Sequence, residues 1–462
     1  MGWYIDDYYL MEIEKEKYIA FNYVNYELYI LRGKDFGSMV KKIRCNNTLM
    51  TVHNDNEIKN LTKLKTLVIC ASEECNMSCA YCFANKGNYH NKGTARIIKF
   101  DEYKNMFTKI LDIFKEGVET LNFFGGEPLL GFADMKSFIL FVEEICKVRK
   151  IEVPLFSFIT NGTLLNENII DFVNEHRIFV TVSIDANEKI HNQYRVYKNG
   201  QGSYQTIIKK LGYIHRLKEK KFLLTCESTI GFDFLLSYQQ GHIKEYFDTF
   251  YELGIDSVVT FLVDTNDVIT KEYEEAIKVF YYDMINYTFD LIINCNDYRK
   301  IPPFILEVIV NIITKRRKRE CRVGKTTLFY TIGGDLYPCQ MFYQANWDHM
   351  GNLYDPNNNI NSIMQNLRKV KRAEVEECQK CFCNGVCQSW CEGSVVLNNK
   401  NARSVIETRC IMQKAIVERV IENLVEVSKD RKCYEQFSRK IISFSEKFSV
   451  KNLKNVGLYS ED

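Results

Sequence analysis

Long apolar runs are missing from this chain of 462 residues, and none approaches the ~18 residues of a membrane-spanning helix. The opening MGWYIDDYYLMEIEKEK has no basic stretch followed by an apolar one, so a secretory signal is not expected and the chain reads as cytoplasmic. Charge of one sign is also lacking: 61 basic and 59 acidic residues leave +2, which gives no overall attraction for nucleic acid or a membrane surface. Proline is scarce, at six residues, and no short repeat is present, so long disordered linkers and solenoid arrays are not expected. What the chain does have is cysteine, seventeen in all, with 46% hydrophobic residues, enough for a barrel-sized domain and one or two smaller ones. In a reducing compartment clustered cysteines point to metal binding or catalysis, not to a disulfide framework.

From residue 66 on, short apolar runs alternate with segments of helical period. TLVICA precedes a helix over 100–116, TLNFF one over 134–149, and LFSFIT one over 166–176. IFVTVSID precedes a helix over 204–218, FLLTCEST one over 236–253, and SVVTFLVD one over 272–290. Such a succession predicts an α/β fold with a parallel sheet, and six units suit a partial (β/α)6 TIM-like barrel better than a closed eightfold one. The expected organisation is an α+β module at 1–65, the barrel at 66–310, a cysteine-rich segment at 311–412 and a helical extension at 413–462. Chemistry in these folds collects at the C-terminal ends of the strands. There EECNMSCAYC follows the first strand, GGEP the second and TNG the third, while Ser183 and Asp185 end the fourth.

Cys75, Cys79 and Cys82 form a C-x3-C-x2-C pattern. Three thiols on one loop cannot complete a tetrahedral zinc site alone, but they can hold three corners of a [4Fe–4S] cluster and leave its fourth iron open. The bland alternative is three small buried hydrophobes. The pattern resembles the signature of the radical S-adenosylmethionine (radical SAM) superfamily, with Tyr81 as its aromatic residue. That resemblance implies S-adenosylmethionine (SAM) chelated at the open iron. GGEP looks like the family's methionine-binding motif, which places Gly125, Gly126 and Glu127 at the cofactor. SIDANEKIHNQYR is similar to the family segment whose serine and arginine contact nucleoside and carboxylate, here Ser183 and Arg195 with Asp185 beside them, although Ala186 replaces the usual glycine. Asn161 in TNG reads as a turn residue first and a ligand contact second, and His191 as a packing residue before a base.

Seven later cysteines follow the patterns C-x12-G-x4-C, from Cys321 to Cys339, and C-x2-C-x5-C-x3-C, through Cys378, Cys381, Cys387 and Cys391, with Cys410 beyond. A zinc ribbon is the alternative for C-x2-C alone. Together they resemble the SPASM extension of radical SAM enzymes, which carries two auxiliary clusters. The resemblance assigns Cys321, Cys339 and Cys391 to one cluster and Cys378, Cys381, Cys387 and Cys410 to the other. The first set is one ligand short; Cys383, another side chain or a substrate thiolate would complete it. Cys45, Cys70, Cys146, Cys226, Cys295 and Cys433 have no ligand spacing and read as structural.

SPASM enzymes mostly modify peptides or proteins through a 5′-deoxyadenosyl radical, with electrons from a low-potential donor such as flavodoxin or ferredoxin. Within them this chain resembles the thioether-forming maturases of ribosomal peptides, the sactipeptide, ranthipeptide and six-cysteine peptide types. Their substrate is a cysteine-containing precursor with a leader. Anaerobic sulfatase maturases are the competing reading, but they carry an acid after the YPC cysteine, where this chain has Gln340. The segment YIAFNYVNYELYILRG and the helix-like KDFGSMVKKIRC resemble a leader-binding module that takes the peptide as an added strand. Glu227 and Asp264, ending the fifth and sixth strands, are the candidates for proton handling. KRRKR at 315–319 is either a solvated helix face or a contact for an acidic leader. An iron-sulfur scaffold without catalysis is the non-enzymatic alternative; GGEP, Ser183 and Arg195 would then have no use.

Overall fold

The computed structural model describes residues 2–33, 61–89, 96–264, 268–317, 321 and 323–447. The chain opens with four antiparallel strands, β1 (Trp3–Ile5), β2 (Tyr8–Glu14), β3 (Lys17–Asn22) and β4 (Leu28–Arg32), in the order β1-β2-β3-β4. The expected hairpin is β3–β4; β1 and β2 add to it. Side chains alternate between the two faces of a strand. Tyr8, Leu10, Tyr18, Ala20 and Leu31 form a small cluster, and Tyr9, Met11, Ile19 and Phe21 join the main core. The Tyr9 ring stacks on Phe382 with centroids 3.8 Å apart and planes 3° from parallel, and its hydroxyl donates to Glu418. The helix expected over 34–45 lies outside the described residues.

Six parallel strands follow: β5 (Leu64–Ser72), β6 (Val118–Gly125), β7 (Leu155–Thr160), β8 (Phe179–Ser183), β9 (Leu224–Ile230) and β10 (Ser257–Leu262). The main helices along this stretch are α1 (Phe100–Ile113), α2 (Phe132–Arg149), α3 (Glu167–Glu175), α4 (Tyr204–Leu211), α5 (Ile243–Tyr251) and α6 (Lys271–Asn294). In α1, Tyr103, Met106, Phe107, Ile110 and Leu111 fall at steps of three and four residues and are all buried, and Asp101 and Glu102 in the first turn complement the helix dipole. In β6, Leu121 and Phe123 are fully buried, with Phe123 set edge-on to Phe138 of α2, while Asn122 and Phe124 take the other face. The helix expected over 236–253 is split: Phe232–Ser237 and α5 are separated by Gly241, whose φ of +90° no helix accepts.

The cysteine-rich segment contributes two more strands to the barrel sheet. After α7 (Pro303–Ile313), β11 (Thr327–Tyr330) pairs parallel to β5, with Thr327 opposite Thr66, and β12 (Leu336–Tyr337) pairs antiparallel to β11. The sheet runs β10-β9-β8-β7-β6-β5-β11-β12, a partial (β/α)6 barrel whose first strand has its edge covered by a hairpin. The helices that follow include α8 (Gln340–Ala345), α9 (Glu392–Asn399), α10 (Glu407–Ser428), which lies along α6, and α11 (Arg431–Lys447). Among the described residues no helix is long and apolar enough to cross a membrane.

Candidate active site

A cavity of about 1560 Å³ opens where the strand ends converge. Cys75, Cys79, Cys82 and Tyr81 line it, as do Gly125 and Gly126, Asn161, Ser183, Arg195, Glu227 and Asp264. Cys321, Cys339 and Cys391 line the same cavity. Residues from all six parallel strands and from the cysteine-rich segment thus meet in one space.

The cysteine loop packs directly on the GGEP turn. Gly126 N–H donates to the Ser72 carbonyl at 2.7 Å, and Glu127 N–H to the Glu74 carbonyl at 2.8 Å. A Cβ on Gly125 or Gly126 would collide with the carbonyls of Ser72 or Glu74, and Gly125 also has φ +134°. The two glycines therefore allow backbone to approach backbone. Asn161 braces the same loop: its Nδ2 donates to Asn76 Oδ1 at 2.8 Å and lies 3.7 Å from Cys75 Sγ, and its Oδ1 accepts from Thr163 N–H at 3.0 Å.

Glu127 does not line the cavity as expected of a cofactor contact. Its side chain is fully buried and takes Leu129 N–H (3.0 Å), the Thr160 hydroxyl (2.7 Å) and Asn161 N–H (2.7 Å). Both oxygens are thus committed to protein donors, and Glu127 acts by shaping two strand ends. Burial lifts its pKa to about 7 against the pull of those donors. Glu127→Gln replaces one acceptor oxygen with an amide that cannot accept, orphaning a buried donor at a cost of about 1–3 kcal/mol. A carboxyl raised in the folded state binds more protons there than in the unfolded chain, so its contribution fades as pH rises through about 7. Unfolding measured across that range should be less stable overall and less pH-dependent in Glu127→Gln.

Asp185 is likewise withdrawn from the cavity, as the centre of a buried network. Its Oδ2 accepts from Arg195 Nε at 2.9 Å and from the Tyr81 hydroxyl, and its Oδ1 from Thr229 N–H at 2.8 Å. The Arg195 guanidinium sits 5.1 Å from the Tyr81 ring centroid and donates to Thr229 Oγ1, putting a fixed positive charge beside Cys79. His191 is fully buried, with Nδ1 accepting from Asp185 N–H and Nε2 bonded to Ser203, and burial lowers its pKa to about 4. It is a neutral packing residue.

The two expected proton handlers differ. Glu227 stands beside Ser183 in the sheet register and faces the cavity, and burial raises its carboxyl above the usual range. Asp264 is held by Arg409, with Nε to Oδ1 at 2.6 Å and Nη2 to Oδ2 at 2.8 Å, so it is a clamp and not a free base. Arg409 also reaches Ser389 and Ser394, on either side of Cys391, and so ties β10 to the later cysteines.

Among the described residues no three Cys, His, Asp or Glu groups converge tightly enough for a single metal ion. The thiols instead form three groups whose members feel one another electrostatically: Cys75 with Cys79 and Cys82, Cys339 with Cys321 and Cys391, and Cys410 with Cys378, Cys381 and Cys387. All-thiol sets spread in this way fit the corners of iron-sulfur clusters better than a mononuclear site. Cys383 does not complete the Cys321 set. It is buried beside Cys381, 3.7 Å from the Gln413 carbonyl.

Residues 69–232 match the family model described as the radical SAM superfamily, so this part of the chain is a radical SAM domain. Domains of that family bind SAM and a [4Fe–4S] cluster. A cysteine-type anaerobic sulfatase-maturating enzyme of Clostridium novyi is 34% identical over 171 residues, 36% of this chain and 44% of that protein. The chain thus matches under half the length of that relative. The radical SAM cyclopropyl synthase TigE of Paramaledivibacter caminithermalis is 23% identical over 385 residues, 79% of this chain and 76% of that one. In fold, native anSMEcpe with bound AdoMet superposes with a TM-score of 0.63 at 18% identity, over 79% of this chain and 99% of that chain.

Proposed function

We propose that this chain is a radical SAM/SPASM peptide maturase that joins a cysteine sulfur to a carbon of a ribosomally made precursor, forming a thioether. The observation that carries this reading is the shared cavity: Cys75, Cys79 and Cys82 face the same space as Cys321, Cys339 and Cys391. SAM and the first cluster, when bound, would supply a 5′-deoxyadenosyl radical that takes one hydrogen atom from a substrate carbon. The substrate loses its C–H and S–H hydrogens as the C–S bond forms. One would leave in 5′-deoxyadenosine and the other as a proton, and Cys321, Cys339 and Cys391 would hold an auxiliary cluster able, when bound, to accept the remaining electron.

In this reading Glu227 receives the thiol proton, since its raised carboxyl faces the cavity and Gln340 beside Cys339 cannot accept one. Gly125, Gly126, Asn161, Ser183, Tyr81 and Arg195 shape the cofactor's place. Cys378, Cys381, Cys387 and Cys410 would hold the second auxiliary cluster, which when bound would supply a relay to a low-potential donor such as flavodoxin or ferredoxin. The N-terminal sheet takes the leader as an added strand.

TigE's name favours a second reading, a carbon–carbon bond made by the same hydrogen abstraction. Coexpression with a short cysteine-rich peptide encoded nearby separates the two. A thioether lowers the peptide mass by about two daltons and blocks its cysteines to alkylation. The same mass loss with alkylatable cysteines supports the carbon–carbon product. An untouched peptide beside a formylglycine-bearing sulfatase would favour sulfatase maturation.

A further inference from the structure

A buried ion pair lies against the Cys321, Cys339 and Cys391 group. Lys369 Nζ is 2.5 Å from Glu392 Oε2, with side-chain exposures of 11% and 4%. The contact is one of charge: neither Nζ nor Oε2 makes an aligned hydrogen bond, while Glu392 Oε1 accepts from Val370 N–H at 3.1 Å. Glu392 directly follows Cys391 and begins α9, and the Lys369 ammonium stands 4.3 Å from the centroid of the Phe342 ring. A Cβ built on Gly393 would come 3.3 Å from both Cys339 Sγ and Phe342 Cδ2, so thiol, ring and helix start form one packed unit. The Cys321 thiol feels both charges, with opposite sign. Asp348 feels both charges as well, and Lys325 feels Lys369.

A buried pair without aligned hydrogen bonds repays its desolvation poorly and is weak evidence for stability. Its position argues for an electrostatic role. Charges and hydrogen bonds around a cluster set its reduction potential, a cation favouring the reduced form and an anion the oxidised form. We infer that Lys369 and Glu392 are opposed tuning charges that fix the potential of the cluster held by Cys321, Cys339 and Cys391. They thereby set how readily that cluster takes the electron released as the product bond closes. This rests on the reading that these three thiols hold a cluster; Lys369 and Glu392 act through it and touch no reacting atom.

The test is an anaerobic redox titration of the full, cluster-loaded chain followed by electron paramagnetic resonance, with Cys339→Ser identifying the relevant signal. Lys369→Met is expected to lower that cluster's potential, Glu392→Gln to raise it, and the double variant to return near the starting value. Lys369→Arg, which keeps the charge, should leave it in place. Deoxyadenosine release per chain is expected to stay unchanged in Lys369→Met, while product per deoxyadenosine falls. Equal potentials in both single variants, or shifts of the same sign, overturn the inference and leave the pair a packing element. Should the single variants lose their iron, the charge-swapped variant Lys369→Glu/Glu392→Lys, which keeps the pair but reverses its order, is expected to shift the potential, and an unshifted potential there overturns the inference. A wild-type chain with no signal lost on Cys339→Ser overturns the three-thiol cluster itself, and the tuning role with it.

Discussion

Changing Cys75, Cys79 and Cys82 together to alanine is expected to abolish 5′-deoxyadenosine release, while the chain keeps the later clusters: of roughly twelve irons, roughly four are lost. The three thiols share one cavity with Gly125, Gly126 and Asn161, and Arg195, the cation beside Cys79, is already committed to Asp185. Without those thiols there is no site from which an electron can reach the cofactor, so a small residual rate is not expected. Iron assay and chromatography of deoxyadenosine after chemical reduction read the two quantities separately. Cys433→Ala, an exposed thiol on α11, should change neither. Release that survived the triple change would remove the basis for a radical mechanism at this loop.

The cysteine patterns and the strand–helix alternation were legible because each is local: a motif of ten residues, or a period of two or 3.6. What was hidden depended on partners far along the chain. The burial of Tyr8, Tyr9, Leu10 and Met11 on both faces of β2 erases the polar–apolar alternation that announces a strand. β11 and β12 are four and two residues long, too short for any period, and exist because β5 offers an edge. Asp264 looked like a free acid since Arg409, which occupies it, lies 145 residues away. Glu127 and Asp185 were both expected at the cofactor, but both turn into the protein, where backbone N–H groups of neighbouring strand ends claim them. Motif residues of this kind carry the site by holding its walls.

Asp185 and Arg195 make that point measurable. Their side chains are 1% and 9% exposed, so removing one partner leaves the other as an uncompensated buried charge. Arg195→Met is expected to cost about 3–5 kcal/mol, since the buried Asp185 side chain would be left with only the Thr229 N–H and the Tyr81 hydroxyl. Asp185→Asn should cost less, because the Arg195 guanidinium still has Thr229 and the face of the Tyr81 ring. Combining the two changes should recover part of the loss, the pairwise coupling that a double-mutant cycle isolates. Denaturant unfolding of the four proteins gives that coupling, and SAM affinity measured on the same set gives the functional half. If Arg195 only holds the strand ends together, SAM binding in the double variant recovers along with stability. If its charge also meets the cofactor, stability recovers and SAM binding does not. A double variant whose loss equals the sum of the two single losses would mean that Asp185 and Arg195 are not coupled at all, and that the Tyr81–Asp185–Arg195 network is not what orders this end of the barrel.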